Sequence, residues 1–237
     1  SLSWPCWTSA AVWREMTRGP PMKRLQGFDL ILSEVPEAVC AQVLSSNLAK
    51  KGFCVIDLRI DSQLTKQVLD DISDLKAAGR FYQTPELISE GLLGSQGSAR
   101  VAELADPASD TNVVVDGAGL RAVDEMLTGV TEILNWCSEA LGFQCSHRTS
   151  GMVHETGIPD GAPALREQDV TKWLDKFLRH KIMAVAFFGP VEGALKLKVH
   201  DDEDADVHEV RTSPGTLVVL RPDIMSHHHV ALGKATA

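Results

Sequence analysis

The spacing of apolar residues changes near residue 142. Before that point, apolar positions recur at intervals of three and four, which predicts helices over residues 35–50, 61–78 and 120–141. The run GFCVIDL at residues 52–58 contains β-branched residues and predicts a strand between the first two helices. The first half of the chain is therefore predicted to be mainly helical.

Beyond this point, short apolar runs separated by turn residues predict strands. These runs lie at residues 143–147, 151–155, 181–188, 194–200, 207–212, 215–220 and 227–232. One helix is expected among them, over residues 166–180, where Val170, Trp173 and Phe177 form an apolar stripe. Helices followed by a series of strands are typical of an antiparallel sandwich or barrel braced by N-terminal helices, so we predict an α+β fold.

The same patterns predict the domain organisation. Residues 1–34 have no sustained period and are expected to form an irregular leader, because Gly19, Pro20 and Pro21 would break a helix there. Residues 35–237 are expected to form one domain, with a helical half at 35–141 and a strand-rich half at 142–237. The chain begins without methionine and stops within a strand-like pattern, so we expect this domain to be truncated at its C-terminus.

Charge and cysteine content exclude several classes of function. The chain has 23 basic and 32 acidic residues, and its net charge of -9 disfavours nucleic acid and anionic membranes as partners. It contains no apolar stretch of membrane-spanning length and no signal-peptide pattern, so we expect a protein of the cytoplasm or a plastid that is not secreted. Five cysteines without a CxxC motif indicate neither a zinc knuckle nor a disulfide framework.

A run of three histidines provides the first candidate chemistry. Side chains alternate along a strand, so His227 and His229 are predicted to face one way and His228 the other. Two imidazoles form a metal site only if other segments supply further ligands. His154, in GMVHE on an earlier predicted strand, is the best placed partner.

Three segments carry a resemblance to a known family: GFCVIDL with its flanking helices, KIMAVAFFGPVEGALKLKV, and PGTLVVLRPDIMSHHHVALGK. Over residues 35–237 the chain resembles the iron(II)- and 2-oxoglutarate-dependent oxygenases of the prolyl-hydroxylase type. This resemblance implies a double-stranded β-helix, or jelly-roll barrel, with supporting N-terminal helices. It also implies that His154 and His227 bind Fe(II), that Lys234 anchors 2-oxoglutarate, and that His229 lines the cofactor pocket.

The sequence departs from the family pattern at the acidic ligand. Thr156 stands two positions after His154, where the family has a carboxylate, so Glu155 or Asp160 would have to serve instead. Glu155 would face the opposite side of a regular strand and Asp160 lies in the next loop, so either would reach the metal only through a bulge. Two alternatives therefore stay open: a binding domain that lost the metal, which Thr156 favours, and a cupin-like metalloprotein that uses His227 and His229.

Two further patterns are interpreted as turns. His200-Asp201-Asp202 satisfies a His-x-Asp pattern but lies in the hairpin tip HDDEDADVH, which is typical of a solvated turn; calcium binding by its aspartates is the weaker alternative. GLLGSQG at residues 91–97 is rich in glycine, but no Gly-Lys-Ser/Thr follows it as in a phosphate-binding loop. We interpret it as a turn beside a short helix.

A more specific resemblance rests on four segments: ELISEGLLGSQGSARVAEL, CSHRTSGMVHE, REQDVTKWLDKFLRHKIMAVAFFGPVEGALKLK and TSPGTLVVLRPDIMSHHHVALGKA. They look like a domain that precedes ketosynthases in dinoflagellate-type polyketide synthases. This resemblance implies a downstream ketosynthase as partner and a small-molecule or carrier-bound substrate. The two resemblances together predict a dioxygenase-like domain that hydroxylates such a substrate, or else a non-catalytic binding or docking domain.

Overall fold

The computed structural model describes residues 27–32, 35–104, 117–200, 202, 204 and 206–232. Its helices are α1 (Glu37–Lys51), α2 (Ser62–Ala77), α3 (Glu86–Leu92), α4 (Ala118–Asn135), α5 (Ser138–Leu141) and α6 (Glu167–Arg179). Its strands are β1 (Leu30–Ile31), β2 (Phe53–Asp57), β3 (Arg100–Glu103), β4 (Met152–Glu155), β5 (Met183–Ala186), β6 (Gly193–Val199), β7 (His208–Thr212), β8 (Thr216–Leu220) and β9 (Met225–Ala231).

The largest sheet has the strand order β1-β2-β8-β5. Its centre is β8, which is buried along its whole length and pairs antiparallel with both β2 and β5. Val218 lies opposite Val55 on one side and Val185 on the other, so β-branched residues meet at the middle of the sheet. Such cross-strand pairs are the main stabilising contacts of a sheet.

A second sheet, with the order β7-β6-β9, packs against one face of the first. Leu195 and Leu197 of β6 point between the two sheets and lie opposite His229 and His227 of β9. The apolar cluster between the sheets includes Phe53, Val55, Leu93, Leu195, Leu197, Val210, Val218, Leu220 and Met225. The histidines of β9 therefore share a strand face with the residues of this core.

Helices cover the other face of the first sheet. Leu44 and Leu48 of α1 pack there with Val130 and Leu134 of α4 and with Leu217 of β8. Local signals define the helix ends: Asp61 accepts a hydrogen bond from the backbone N–H of Leu64 at the start of α2, and α1 ends at Gly52 in the left-handed conformation.

The third sheet is the antiparallel pair β3-β4, which lies between two groups of helices. Ala102 and Val153 pack toward α2 and α4, while Val101 packs with Trp173 of α6 on the opposite face. Glu103 at the end of β3 accepts hydrogen bonds from Lys172 and Tyr82, and these bonds fasten α6 to the sheet.

Most of the predicted elements are confirmed, with several corrections. The α+β class holds, and the strands predicted around residues 52–58, 151–155 and 181–232 are present. Residues 143–147 do not form a strand, because the backbone N–H of Cys145 donates instead to the side chain of Asn135. The helix predicted over 120–141 is divided between α4 and α5, and β1 and β3 were not predicted.

Strand pairing among the described residues gives three separate sheets rather than the closed barrel expected from the sequence. Leu30 and Ile31, which belong to the predicted leader, form β1, and this strand pairs parallel with β2. No helix in the described ranges is both long and apolar enough to span a membrane.

Replacing Leu48 with alanine tests the packing of α1. Leu48 is completely buried, so the cavity and the lost burial should lower the free energy of unfolding by about 2–4 kcal/mol. Leu178→Ala is the control, because Leu178 is 71% exposed and its truncation should change stability by less than about 0.5 kcal/mol. Urea unfolding monitored by circular dichroism measures both, and equal effects would contradict the packing described.

Candidate functional site

The three histidines of β9 alternate as predicted. His229 is 6% exposed, His228 is exposed, and His227 is half-buried. His227 and His229 therefore face the space between the sheets, together with Met225. The prediction that only two of the three imidazoles share a face is confirmed.

His229 is held tightly in this position. Its Nε2 lies 2.9 Å from the hydroxyl of Thr212, and its ring packs against Phe187 with 5.1 Å between ring centroids. Gly193 makes room for it, since a Cβ at that position would be 2.3 Å from Nε2. Burial lowers the pKa of His229, and its Nδ1 is buried without a hydrogen-bond partner in the described part of the chain.

His227 leans the other way along β9. Its Nδ1 lies 3.3 Å from the carbonyl oxygen of Met225, two residues earlier, and burial lowers its pKa. The ring of His229 instead reaches Thr212 of β7. Thr212 and Ala231 both pair with Gly193 of β6, so Thr212 lies toward the C-terminal end of β9. The two rings thus have partners toward opposite ends of β9. Nε2 of His227 is also buried, with no hydrogen-bond partner among the described residues.

His154 of β4 is bonded to a buried serine. Its Nδ1 lies 3.0 Å from Oγ of Ser98, and the same oxygen accepts a hydrogen bond from the backbone N–H of Leu93 at 3.1 Å. A hydroxyl has two lone pairs and one proton, so Ser98 can either donate to Nδ1 of His154 or accept from it. Surrounding protein disfavours the charged ring and lowers the pKa of His154 to about 4.

Residues 93–98, here called the 93–98 loop, form hydrogen bonds to both β4 and β9, the two strands that carry the candidate histidines. While Ser98 bonds to His154, the carbonyl of Leu93 accepts a hydrogen bond from the backbone N–H of His229 at 2.8 Å. Glycine is required in the loop: a Cβ at Gly94 would be 2.9 Å from Cβ of His228, and one at Gly97 would be 2.1 Å from the carbonyl oxygen of Leu93. The loop therefore lies directly against β9 and contacts β4 at the same time.

The two candidate acids lie elsewhere. Glu155 faces the opposite side of β4 from His154, and its Oε1 is 2.5 Å from Nζ of Lys76. Asp160 is exposed in the loop that follows β4. Both residues line a cleft of about 370 Å³, together with Gln83, Ala99, Arg100, Thr156, Gly157 and Ile158. The structure thus brings Glu155 and Asp160 together, but at a different place from the histidines of β9.

These positions do not fit a site of two histidines and one carboxylate. Within the described ranges, no three histidine, cysteine, aspartate or glutamate side chains converge to hold a metal ion. The assignment of His154, His227, Glu155 and Asp160 as iron ligands stays a prediction. Lys234, the expected 2-oxoglutarate anchor, lies outside the described residues.

Sequence reasoning missed Ser98 and Lys76, which bond to His154 and Glu155. The glycine spacing of GLLGSQG was the available signal for the 93–98 loop, and its interpretation as a turn beside a short helix is confirmed. The pattern could not indicate that this turn would contact both strands, because those strands lie far along the chain.

No protein-family model matches the chain, and no curated protein matches it significantly. It is similar to a prolyl hydroxylase from Trichoplax adhaerens in complex with a hypoxia inducible factor peptide (13% identity, 82% of this chain, 84% of that chain, TM-score 0.48). It is also similar to a prolyl-4-hydroxylase from Pseudomonas putida (16% identity, 81% of this chain, 90% of that chain, TM-score 0.48). Likeness at this level carries no argument about the family or the activity of this chain.

Replacing Gly97 with alanine tests the close approach of the 93–98 loop. The new Cβ would collide with the carbonyl of Leu93, so the free energy of unfolding should fall by about 1–3 kcal/mol. Gly129→Ala is the control: nothing lies within 4 Å of its Cβ position in α4, and it should raise stability by up to about 1 kcal/mol. Denaturant unfolding measures both variants, and an unchanged Gly97→Ala protein would contradict the loop position.

Replacing His154 with glutamine tests the neutral, half-buried imidazole. The pKa of His154 is lowered from 6.5 to about 4 in the folded protein, so below pH 6.5 the unfolded chain binds a proton more readily than the folded one. The contribution of His154 to stability is therefore complete above pH 6.5 and is lost as the pH falls toward 4. Wild-type protein should therefore lose about 3 kcal/mol from this group between pH 7 and pH 4. Urea unfolding across this range should show a smaller loss for His154→Gln, and no such reduction for the exposed His147→Gln. Equal pH dependence in all three proteins would refute the assignment.

Proposed function

We propose that this chain is a ligand-binding domain built on a double-stranded β-helix of the 2-oxoglutarate oxygenase type, and that it does not perform iron chemistry. The observation that carries the proposal is the position of Glu155, which faces away from His154 on β4 and pairs with Lys76. Two facing sheets with an apolar interior, covered by helices on one side, are compatible with such a fold.

The Ser98 bond holds the ring of His154 in place. The oxygen of Ser98 accepts from the backbone N–H of Leu93, and because a hydroxyl has two lone pairs and one proton it can either donate to Nδ1 of His154 or accept from it. Since Nδ1 is used by Ser98, only Nε2 of His154 could bind a metal.

The carboxylate position supports the same conclusion. Thr156 replaces the acid, and Glu155 is turned to the opposite face of β4, where Lys76 neutralises it. Moving Glu155 toward His154 would require a bulge in β4, yet all four of its residues are in regular register with β3. We infer that the domain binds a small molecule or a carrier-bound chain, and that a neighbouring ketosynthase is its partner in a polyketide synthase polypeptide.

The second candidate function is an Fe(II)- and 2-oxoglutarate-dependent dioxygenase. It is favoured by Nε2 of His227 and Nδ1 of His229, which are buried and have no hydrogen-bond partner within the described ranges, because such atoms are rare and need an explanation. In this case His154 and His227 would hold iron with Glu155 or Asp160, and Lys234 would hold 2-oxoglutarate. The cofactors would supply the oxidation of the substrate by O₂.

Anaerobic titration with Fe(II) and then 2-oxoglutarate distinguishes the two functions. For a binding domain we expect no visible charge-transfer band and no gain in thermal stability. A band that appears in wild-type protein, disappears in His227→Ala and persists in the exposed-residue control His147→Ala would establish the dioxygenase instead.

A further inference from the structure

Helix α6 has apolar residues on two faces, and the described chain covers only one of them. Trp173 and Phe177 belong to the inner face, which packs against the β3-β4 pair and α3. Val170, Leu174 and Leu178 form a second line on the outer face, here called the outer stripe, and they are 39%, 51% and 71% exposed. A surface helix ordinarily has one apolar face with polar residues opposite, so the outer stripe needs an explanation.

The residues of the outer stripe lie next to one another. Side chains four positions apart on a helix share a face, and their Cβ atoms are about 5–6 Å apart. Helix α3 adds to this surface: Gly91 lies against α6, since a Cβ there would be 2.7 Å from the ring of Phe177. Leu87 lies one helical turn before Gly91 and is 68% exposed. A contiguous apolar surface of this kind marks a site of protein association.

The outer stripe is symmetric about Leu174. Val170 lies four residues before it and Leu178 four residues after it, which is about 6 Å along the helix in each direction. When two copies of α6 pack antiparallel about a two-fold axis at Leu174, Val170 of each copy meets Leu178 of the other, and Leu174 meets its own copy. One surface thus serves both sides, as a two-fold symmetric dimer requires.

The charges at the ends of the outer stripe match in the same arrangement. Glu167 lies seven residues before Leu174, is exposed and forms no ion pair among the described residues. Lys181 lies seven residues after Leu174 and is 50% exposed. Antiparallel packing brings Glu167 of each copy about level with Lys181 of the other. Lys181 is 3.5 Å from Asp223, which Arg221 also pairs with, so Asp223 keeps a partner when Lys181 turns toward a second copy.

We propose that the outer stripe is the contact surface of a homodimer, in which the α6 helices of two copies of this chain pack antiparallel about Leu174. Helices of 13 residues overlap over only about 20 Å, so the interface is small. Small interfaces bind weakly, and we expect a dissociation constant between about 1 and 100 μM. None of the candidate site residues lies on α6, so the dimer is independent of the proposed function.

Sedimentation velocity of the full chain, from about 1 to 500 μM at physiological salt, tests the proposal. Wild-type protein should shift from the mass of a monomer to that of a dimer. Leu174→Lys places two like charges at the two-fold axis and should weaken the dimer at least about tenfold. The control Leu232→Lys changes a leucine that is 59% exposed outside α6, and it should dimerise like wild type. A monomer at every concentration, or equal dimerisation in Leu174→Lys and wild type, would overturn the proposal.

Cysteine substitutions test the antiparallel direction. On mild oxidation, Leu174→Cys should form an intermolecular disulfide with its own copy, because the two positions meet at the axis. Val170→Cys alone should not, since its two copies are about 12 Å apart along the helices, but a mixture of Val170→Cys and Leu178→Cys should crosslink. Non-reducing electrophoresis measures the products, and wild-type protein gives the background from the native cysteines. Crosslinking of Val170→Cys to itself as efficiently as Leu174→Cys would refute the antiparallel pair.

Charge reversal tests the pairing at the ends of the stripe. Glu167→Lys places lysine opposite Lys181 of the second copy and should weaken the dimer about two- to fivefold. Adding Lys181→Glu to this variant should restore the affinity, because each charge again meets its opposite. A double variant that dimerises no better than Glu167→Lys would contradict the arrangement of the two helices.

A different occupant of the outer stripe gives a different result. If another segment of this chain covers it, the protein stays monomeric, and Leu174→Lys has a lower midpoint of urea unfolding than Leu232→Lys. If a different protein covers it, the chain stays monomeric and the two variants unfold at the same midpoint. Either outcome would contradict dimerisation through α6.

Discussion

The 93–98 loop and its hydrogen bonds to two distant strands determine how the candidate site is arranged. Leu93 binds the backbone of β9 through its carbonyl, and its N–H donates to Ser98, which in turn bonds to His154 on β4. The loop can approach β9 so closely only because Gly94 and Gly97 have no side chain. The loop therefore holds His154 through its ring and His229 through its backbone.

The alternation of side chains along β4 separates the remaining chemistry. His154 and Val101 share one face of the β3-β4 pair, whereas Glu155 and Arg100 share the other. A neutral imidazole of low pKa consequently lies on the side of the 93–98 loop, and the charged groups gather in an open cleft. Burial disfavours charge on His154, while exposure tolerates charge in the cleft on the other face.

Both of these faces belong to the β3-β4 pair, and contacts with α6 hold this pair in position. Trp173 is buried against Val101, and Glu103 accepts hydrogen bonds from Lys172 and Tyr82. Burial by itself would raise the pKa of Glu103, but these bonds outweigh it, and the pKa lies below its usual value. The charged form of Glu103 is thus favoured in the folded protein, which holds α6 beside the candidate site.

Local patterns in the sequence were sufficient for most helices and strands and for the direction of each histidine of β9. Hydrophobic period and capping residues such as Asp61 act within a few residues of the chain, so they can be recognised without the fold. Strand β3 was missed, and its pairing with β4, about fifty residues further along, was decided by the tertiary structure. The run at 143–147 was wrongly predicted as a strand, because Asn135 takes the N–H that a strand partner would need.

The partners of the candidate residues were decided by the tertiary structure alone. His154 has the right residue type for a metal ligand, yet its hydrogen-bond partner is Ser98, which the fold brings to it across 56 positions. Glu155 likewise meets Lys76 across 79 positions. Residue type and spacing determine which chemistry a side chain can perform, whereas its proton, its charge and its free lone pairs depend on neighbours that only the folded chain assembles.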